Sequence, residues 1–207
     1  MKRFGALFDL DGVLVDSESL YTVFWDDMER RFPTGDPDYA YNIKGMTLSR
    51  ILLNYPEEQR AEVVKAIHDY EQTMVYPVMP GVYELLGKLR AAGAAMAIVT
   101  SSDKVKMGYL YRQQPRFAEL FDVIIDGSMV TRSKPDPQGY LMAAEKLGVD
   151  PKDCLVFEDS MQGLQAGRAS GARVIGMATT FPAERVAPLA DVVLTTFEGV
   201  ELSDLGL

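Results

Sequence analysis

The sequence predicts an α/β protein: a doubly wound parallel sheet, interrupted after its first strand by a small helical insertion. Three observations point there. Short apolar runs (FGALF, AMAIV, DVII, CLVF, RVIGM and DVVL) recur along the 207 residues without the alternation of a half-exposed strand, as strands covered on both faces do. Helical patterns fall between most of them and supply the crossovers that parallel strands need. Between Ser17 and Tyr76, by contrast, the pattern predicts only helices and loops.

The first run, FGALFDLDGVLVDS from Phe4 to Ser17, is mostly apolar up to Asp9 and then carries two aspartates separated by Leu10, with Gly12 to supply a bend. In extended backbone, residues i and i+2 point to one side, so Asp9 and Asp11 are expected to crowd one spot that a cation would make tolerable. A polar turn closing the strand is the plainer alternative. DSESLYTVFWDDMERRF then spaces Leu20, Tyr21, Phe24, Trp25 and Met28 as one helix face, and EEQRAEVVKAIHDYEQTMV does the same with Val63, Val64, Ile67, Tyr70 and Met74. Pro77, Pro80 and Gly81 end this unit. The expected division is therefore a core of residues 1–15 and 81–207 and a helical cap of residues 16–80. GVYELLGKLRAAG reads as a helix closed by Gly93, AAMAIVTSS and FDVIIDGS as strands, and PQGYLMAAEKLG as a helix that Asp136 can cap, Pro137 opens and Gly148 ends. CLVFEDS, RVIGMAT and DVVLTTF complete the sheet.

Composition narrows the function. Hydrophobic residues at 47% and charged residues at 25% are ordinary for a water-soluble domain. No apolar run approaches the roughly 20 residues of a membrane span, and the N-terminus lacks the pattern of a secretory signal, so a cytoplasmic protein with no membrane partner is expected. A net charge of −9 with no long basic run argues against nucleic acid as a partner. The single cysteine, Cys154, precedes an apolar run and reads as a small buried hydrophobe. His68, the only histidine, reads as a surface or packing residue, and Tyr21 and Trp25 as core.

The polar residues gather at one place in this topology. Asp9 and Asp11 follow the first strand, Thr100, Ser101 and Ser102 follow AMAIV, Lys134 follows FDVIIDGS after a loop, and Glu158 and Asp159 follow CLVF. All lie at or beyond carboxyl ends of strands, which in an open α/β sheet face one ligand crevice. Four carboxylates, a hydroxyl and a lysine are thus expected to converge, and hard oxygen ligands suit Mg²⁺ with a phosphate companion.

DLDGVLVDS, VTSS, SKPDP and VFEDSMQG, in this order, resemble the four motifs of the haloacid dehalogenase superfamily, and the helical insertion resembles that of its subgroup containing β-phosphoglucomutase and many small-molecule phosphatases. The resemblance implies a Rossmann-like core with a helical cap and a magnesium-dependent phosphatase. Asp9 would be the nucleophile forming an aspartyl phosphate, and Asp11 the acid and then base, with a pKa near the working pH. Asp9, the Asp11 backbone carbonyl, Asp159 and Glu158, directly or through water, would hold Mg²⁺. Thr100 would bond the phosphoryl oxygens, helped by backbone N–H groups of Leu10 and Ser101, and Lys134 would neutralise the nucleophile. Ser160 reads as a helix N-cap, and Gly163 and Gly167 as sites of close helix packing.

IKGMTLSR, from Ile43 to Arg50, resembles the family's specificity loop, making Lys44, Gly45, Thr47 and Arg50, with Ser101 and Ser102, candidate substrate contacts. The cap is expected to close as a lid on hinges at residues 15–17 and 76–81. A small phosphorylated metabolite such as a sugar phosphate is the expected substrate, and a monomer the expected state. Asp11 favours phosphoryl transfer over dehalogenation. The β-phosphoglucomutases carry a histidine where this chain has Tyr21, so hydrolysis is favoured over mutase chemistry. In another class stand a receiver-like signalling domain and a non-catalytic metabolite binder. The chain order of the acidic residues and the long cap insertion argue against the receiver.

Overall fold

The computed structural model describes residues 4–207. Strand β1 (Gly5–Phe8) leads into helices α1 (Glu18–Arg31), α2 (Tyr39–Asn42), α3 (Leu48–Ile51) and α4 (Glu57–Thr73). There follow α5 (Val82–Ala91), β2 (Ala95–Val99), α6 (Lys104–Gln113), β3 (Val123–Ile125), α7 (Gln138–Leu147), β4 (Cys154–Glu158), α8 (Met161–Ser170), β5 (Arg173–Met177), α9 (Ala183–Val186) and β6 (Val192–Leu194). The strands form one parallel sheet in the order β3-β2-β1-β4-β5-β6. Leu7 of β1 lies level with Ala97 on one side and Val156 on the other. The winding reverses between β1 and β4, so the crevice where such sheets bind ligands opens beside Asp9 and Glu158.

Every residue of β1, β2 and β4 is buried, which is why these strands are continuous apolar runs. On one face Phe8 stacks on Phe157, with centroids 4.3 Å apart and planes 9° from parallel, while Phe121 meets Phe8 edge-on at 6.1 Å. On the other, Leu7, Ala97, Val99 and Val156 pack under Tyr140, Ala143 and Leu147 of α7. The expected turn chemistry is present: Gly148 ends α7 in the left-handed region, and the Ser160 hydroxyl accepts from the Gly163 N–H at the start of α8. Asp136 accepts from the Gln138 N–H at 2.9 Å, so α7 begins just after Pro137. Cys154 is buried, and that burial pushes its thiol up to about 11.

Helices α1 to α4 form the insertion. Its interior is aromatic: α1 buries Tyr21, Phe24, Trp25 and Met28, Phe24 stacks on Tyr70 at 4.9 Å, and Trp25 meets Tyr39 edge-on. These side chains join Phe8, Ile98 and Phe157 in one continuous apolar cluster, so the insertion rests on the sheet's phenylalanine face. The two chain crossings pair with each other. Asp16 N–H donates to the Pro77 carbonyl and Met79 N–H to the Leu14 carbonyl, both at 2.9 Å, with an antiparallel bridge between Val15 and Val78. Among the described residues no helix is long and apolar enough to cross a membrane.

The Phe8–Phe157 stack ties the two central strands to the face that carries the insertion. Phe157→Ala is expected to destabilise the protein by about 3–5 kcal/mol, seen as a lower denaturant midpoint at an unchanged slope.

Candidate active site

Asp9 follows β1 directly and is anchored by its N–H to the Phe157 carbonyl at 3.0 Å. Lys134 reaches across from the loop before α7, placing its Nζ 3.0 Å from Asp9 Oδ1 and 2.5 Å from Glu158 Oε1. All three side chains are buried. Burial, with added repulsion from Glu158 and Asp11, pushes the Asp9 carboxyl up to about 8 against the pull of Lys134. The same burial opposes the Lys134 charge, but Asp9 and Glu158 outweigh it and hold the ammonium above its usual range.

Glu158 is the most completely held of the carboxylates. Its Oε1 accepts from Lys134 and from the Tyr140 hydroxyl at 2.8 Å, and its Oε2 from the N–H groups of Asp159 and Ser160 and from the Ser160 hydroxyl. A Cβ added at Gly163 would overlap this carboxylate, so α8 needs glycine where it begins its run past Glu158. Asp159 is different: Oδ2 accepts from the Thr180 hydroxyl, while Oδ1 is buried with no hydrogen-bond partner. Burial, followed by the charges of Glu18, Glu158 and Asp9, drives its carboxyl well above the ordinary range. Asp9, Glu158 and Asp159 each offer an oxygen, and these lie within 4.8 Å of one another. With Lys134 between two of them and an orphaned oxygen on the third, the cluster fits a divalent cation, and the free Asp159 oxygen rather than saturated Glu158 is the atom left for it.

Asp11 lies close enough to Asp9 to raise its pKa, but its direct partners are different. It is paired with Lys106 of α6 and accepts from the Ser17 hydroxyl and from the Ser102 hydroxyl at 2.9 Å. The chain has left strand geometry at Leu10, where the turn carbonyl accepts from Leu14 and Val15, so the i, i+2 rule no longer orients the side chain. Burial would raise the Asp11 pKa, but Lys106 and the two hydroxyls overcome it and the carboxyl lies below its ordinary value rather than near neutrality.

Thr100 follows β2 directly and its hydroxyl accepts from the Ser102 N–H at 3.0 Å. With Asp9, Asp11, Ser101 and Ser102 it forms the floor of a cavity of about 90 Å³, which α1, α4 and the residues 43–51 roof. Lys44 and Gly45 line this cavity; Lys44 is buried and paired with Glu18, and the Gly45 carbonyl accepts from the Ser101 hydroxyl at 2.6 Å. Gly45 adopts a positive φ of 81°, and a side chain there would collide with Ser160. The Thr47 N–H donates to Ser133 Oγ at 2.9 Å, a tie between insertion and core. Arg50 is exposed and does not line this cavity; it lines a groove shared with Thr47, Arg132 and Lys134.

Several site residues escaped the sequence reading. Lys106 is 2% exposed, paired with Asp11 and 4.4 Å above the Tyr21 ring. Its signal was available, since it shares the buried face of α6 with Met107 and Leu110, where an unpaired lysine would be costly. Tyr21, read as core, lines the cavity and donates its hydroxyl to Glu71 Oε1 at 2.8 Å. Glu18, Ser17 and Glu71 likewise face inward.

The parallel α/β sheet thus gathers buried carboxylates and a lysine at its switch point, under a helical roof, where proteins of this fold class bind ligands. Residues 5–171 match the family model of haloacid dehalogenase-like hydrolases, and the chain belongs to that family. Hexitol phosphatase A of Escherichia coli (strain K12) is 30% identical over 98% of this chain and 95% of its own length. The bifunctional riboflavin kinase/FMN phosphatase of Arabidopsis thaliana is 27% identical over 97% of this chain, which spans 55% of that larger protein. A HAD family hydrolase from Deinococcus radiodurans R1, solved with bound phosphate and sodium, is 30% identical with a TM-score of 0.72, covering 98% of this chain and 96% of that one.

Glu71 supplies a pH test of the closed site. Burial pushes its carboxyl from 4.5 up to about 7, against the pull of Lys106 and Tyr21. Because the folded value is the higher one, its contribution is fully present below the unfolded value and is lost as pH rises through the folded one, at no more than about 1.4 kcal/mol per pH unit. Thermal melts from pH 5 to 8 are expected to show this decline in the native protein and a flatter profile in Glu71→Gln.

Proposed function

We propose that the protein is a magnesium-dependent phosphatase of small phosphorylated metabolites that works through an aspartyl phosphate on Asp9. One observation carries the reading: Asp9, Glu158 and Asp159 lie buried together beside Lys134 with an Asp159 oxygen unpartnered, while Asp11 stands next to them at the floor of a roofed cavity. The printed names of the relatives support the reaction class.

Asp9 and Asp159, with the Asp11 backbone carbonyl, would hold Mg²⁺, and Glu158 would brace them. The bound ion supplies positive charge against the phosphoryl oxygens and the carboxylates. Lys134 holds the Asp9 carboxylate in place, and the Thr100 hydroxyl with the backbone N–H groups of Leu10 and Ser101 cradles the transferring group. Asp9 attacks phosphorus; the leaving oxygen takes the proton of Asp11; Asp11 then removes a proton from water, which attacks the aspartyl phosphate and frees Asp9. In the structure Asp11 is held ionised by Lys106, the state needed for the second half. A phosphate dianion brought beside it opposes Lys106 and favours the protonated state needed for the first.

The helical insertion acts as the lid. Its crossings, paired at Val15 and Val78, are the hinge, and the contacts of Gly45 with Ser101 and of Thr47 with Ser133 are the closed latch. Lys44 and Gly45 meet the substrate from above. Water rather than a second sugar is the acceptor, because Tyr21, whose hydroxyl is committed to Glu71, stands where the β-phosphoglucomutases carry a histidine. One chain supplies every group named, as a monomer would require.

Phosphate release from a panel of small phosphate esters and pyrophosphate is expected with Mg²⁺, to vanish with chelator, and to be abolished in Asp9→Asn. Release that survives either treatment would refute the reading. Lys106→Met is expected to lower kcat by about 10–100-fold through the loss of Asp11 control and to shift the acidic limb of the kcat profile to higher pH; an unmoved limb would show that Lys106 serves only packing.

A further inference from the structure

The roof of the cavity carries a group that phosphoryl transfer does not use. Trp25, Ile43, Ile51 and Ile67 give this wall an apolar surface, and Glu71 of α4 interrupts it. Glu71 is 5% exposed. Its Oε1 accepts from the Tyr21 hydroxyl, whereas its Oε2 is buried with no hydrogen-bond partner. The neighbouring charges are engaged elsewhere: Lys44 with Glu18, Lys106 with Asp11, and Asp103 with His68 at 3.1 Å. A buried carboxylate oxygen without a donor is unfavourable, so a ligand that supplies the donor gains binding free energy that a plain hydrocarbon cannot.

We propose that Glu71 is a specificity-determining residue whose Oε2 binds a hydroxyl group of the substrate's leaving alcohol, so that the enzyme selects phosphate esters of polyols over those of simple alkyl alcohols. This rests on the phosphatase reading above. The apolar wall takes the carbon backbone of the polyol, and Tyr21 fixes the carboxylate's orientation by holding its other oxygen. A hydroxyl suits this carboxyl better than an ammonium: burial holds Glu71 at about 7, so both protonation states are populated near neutral pH, and a hydroxyl can accept from one and donate to the other.

The test compares kcat/KM for erythritol phosphate, butyl phosphate and aminobutyl phosphate, with p-nitrophenyl phosphate as a general reporter, in the native protein, Glu71→Leu and Glu71→Gln. The native enzyme is expected to prefer erythritol phosphate to butyl phosphate by about tenfold or more, chiefly through KM. Glu71→Leu should bring that ratio to within about threefold of unity, while Glu71→Gln, which keeps an acceptor oxygen and the volume, should retain most of it. Thermal midpoints report whether either variant is folded, and the Gln variant decides alone if the Leu variant is not. No native preference, a preference that survives Glu71→Leu or vanishes equally in Glu71→Gln, or a preference for aminobutyl phosphate would overturn the proposal. If the native protein releases phosphate from none of the four, including the reporter, the phosphatase reading itself falls.

Discussion

The Lys134 ammonium, seated between Asp9 and Glu158, is the contact on which the rest of the site depends. Three carboxylates meet at the junction of β1 and β4, and burial alone would force them toward neutrality. Lys134 offsets part of that pressure and fixes the two it touches. Glu158 is then completed by the Tyr140 hydroxyl and by the turn into α8, so both of its oxygens are saturated and it becomes a rigid post. Asp159, one residue on, is left with an oxygen that nothing among the described residues satisfies. The shortage of positive charge is thus localised at one atom, next to Asp9. A preorganised deficit of this kind suits a site that must accept a cation and a phosphate together, because the two cancel much of each other's desolvation.

Asp9 and Asp11 have different direct partners although only Leu10 separates them in sequence. Asp9 answers to Lys134 and the carboxylate cluster; Asp11 answers to Lys106, Ser17 and Ser102. Burial pushes both upward, yet the net directions are opposite, because Asp11 has a lysine and two hydroxyls to itself while Asp9 shares its lysine with Glu158. Two neighbouring carboxyls given opposite shifts is the arrangement that lets like groups take different roles.

The fold was legible because each strand is a local apolar run, and the placing of Asp9, Thr100, Glu158 and Asp159 followed from strand ends alone. Those inferences need only the topology. What was not legible required knowing how separate elements meet. Lys106 and Asp11 are far apart in the chain, and their pairing depends on how α6 sits beside the turn after β1. The Glu18–Lys44 and Tyr21–Glu71 contacts depend on packing inside the insertion. Arg50 was expected at the cavity because it belongs to the same short segment as Lys44 and Gly45, but α3 begins between them and turns its side chain toward the outer groove. Asp9 and Asp11 share one neighbourhood, as their spacing predicted, but Asp11 lies three residues beyond β1, so its partners could not be read from strand periodicity.

The cavity of about 90 Å³ is floored by the ends of the central strands and roofed by the insertion. The forces holding it are unevenly distributed. Near the crossings, backbone hydrogen bonds and the Val15–Val78 bridge form a short ribbon that can flex while its pairing persists. Over the cavity, closure relies on a few polar ties, Gly45 to Ser101, Thr47 to Ser133 and His68 to Asp103, each worth about 1 kcal/mol net. The Lys106–Tyr21 contact adds a fourth, and it links the lysine that governs Asp11 to the helix that forms the roof. Lys106 thus touches Asp11 on the core side and Tyr21 on the insertion side, so the lysine that sets the Asp11 charge belongs to both parts of the molecule.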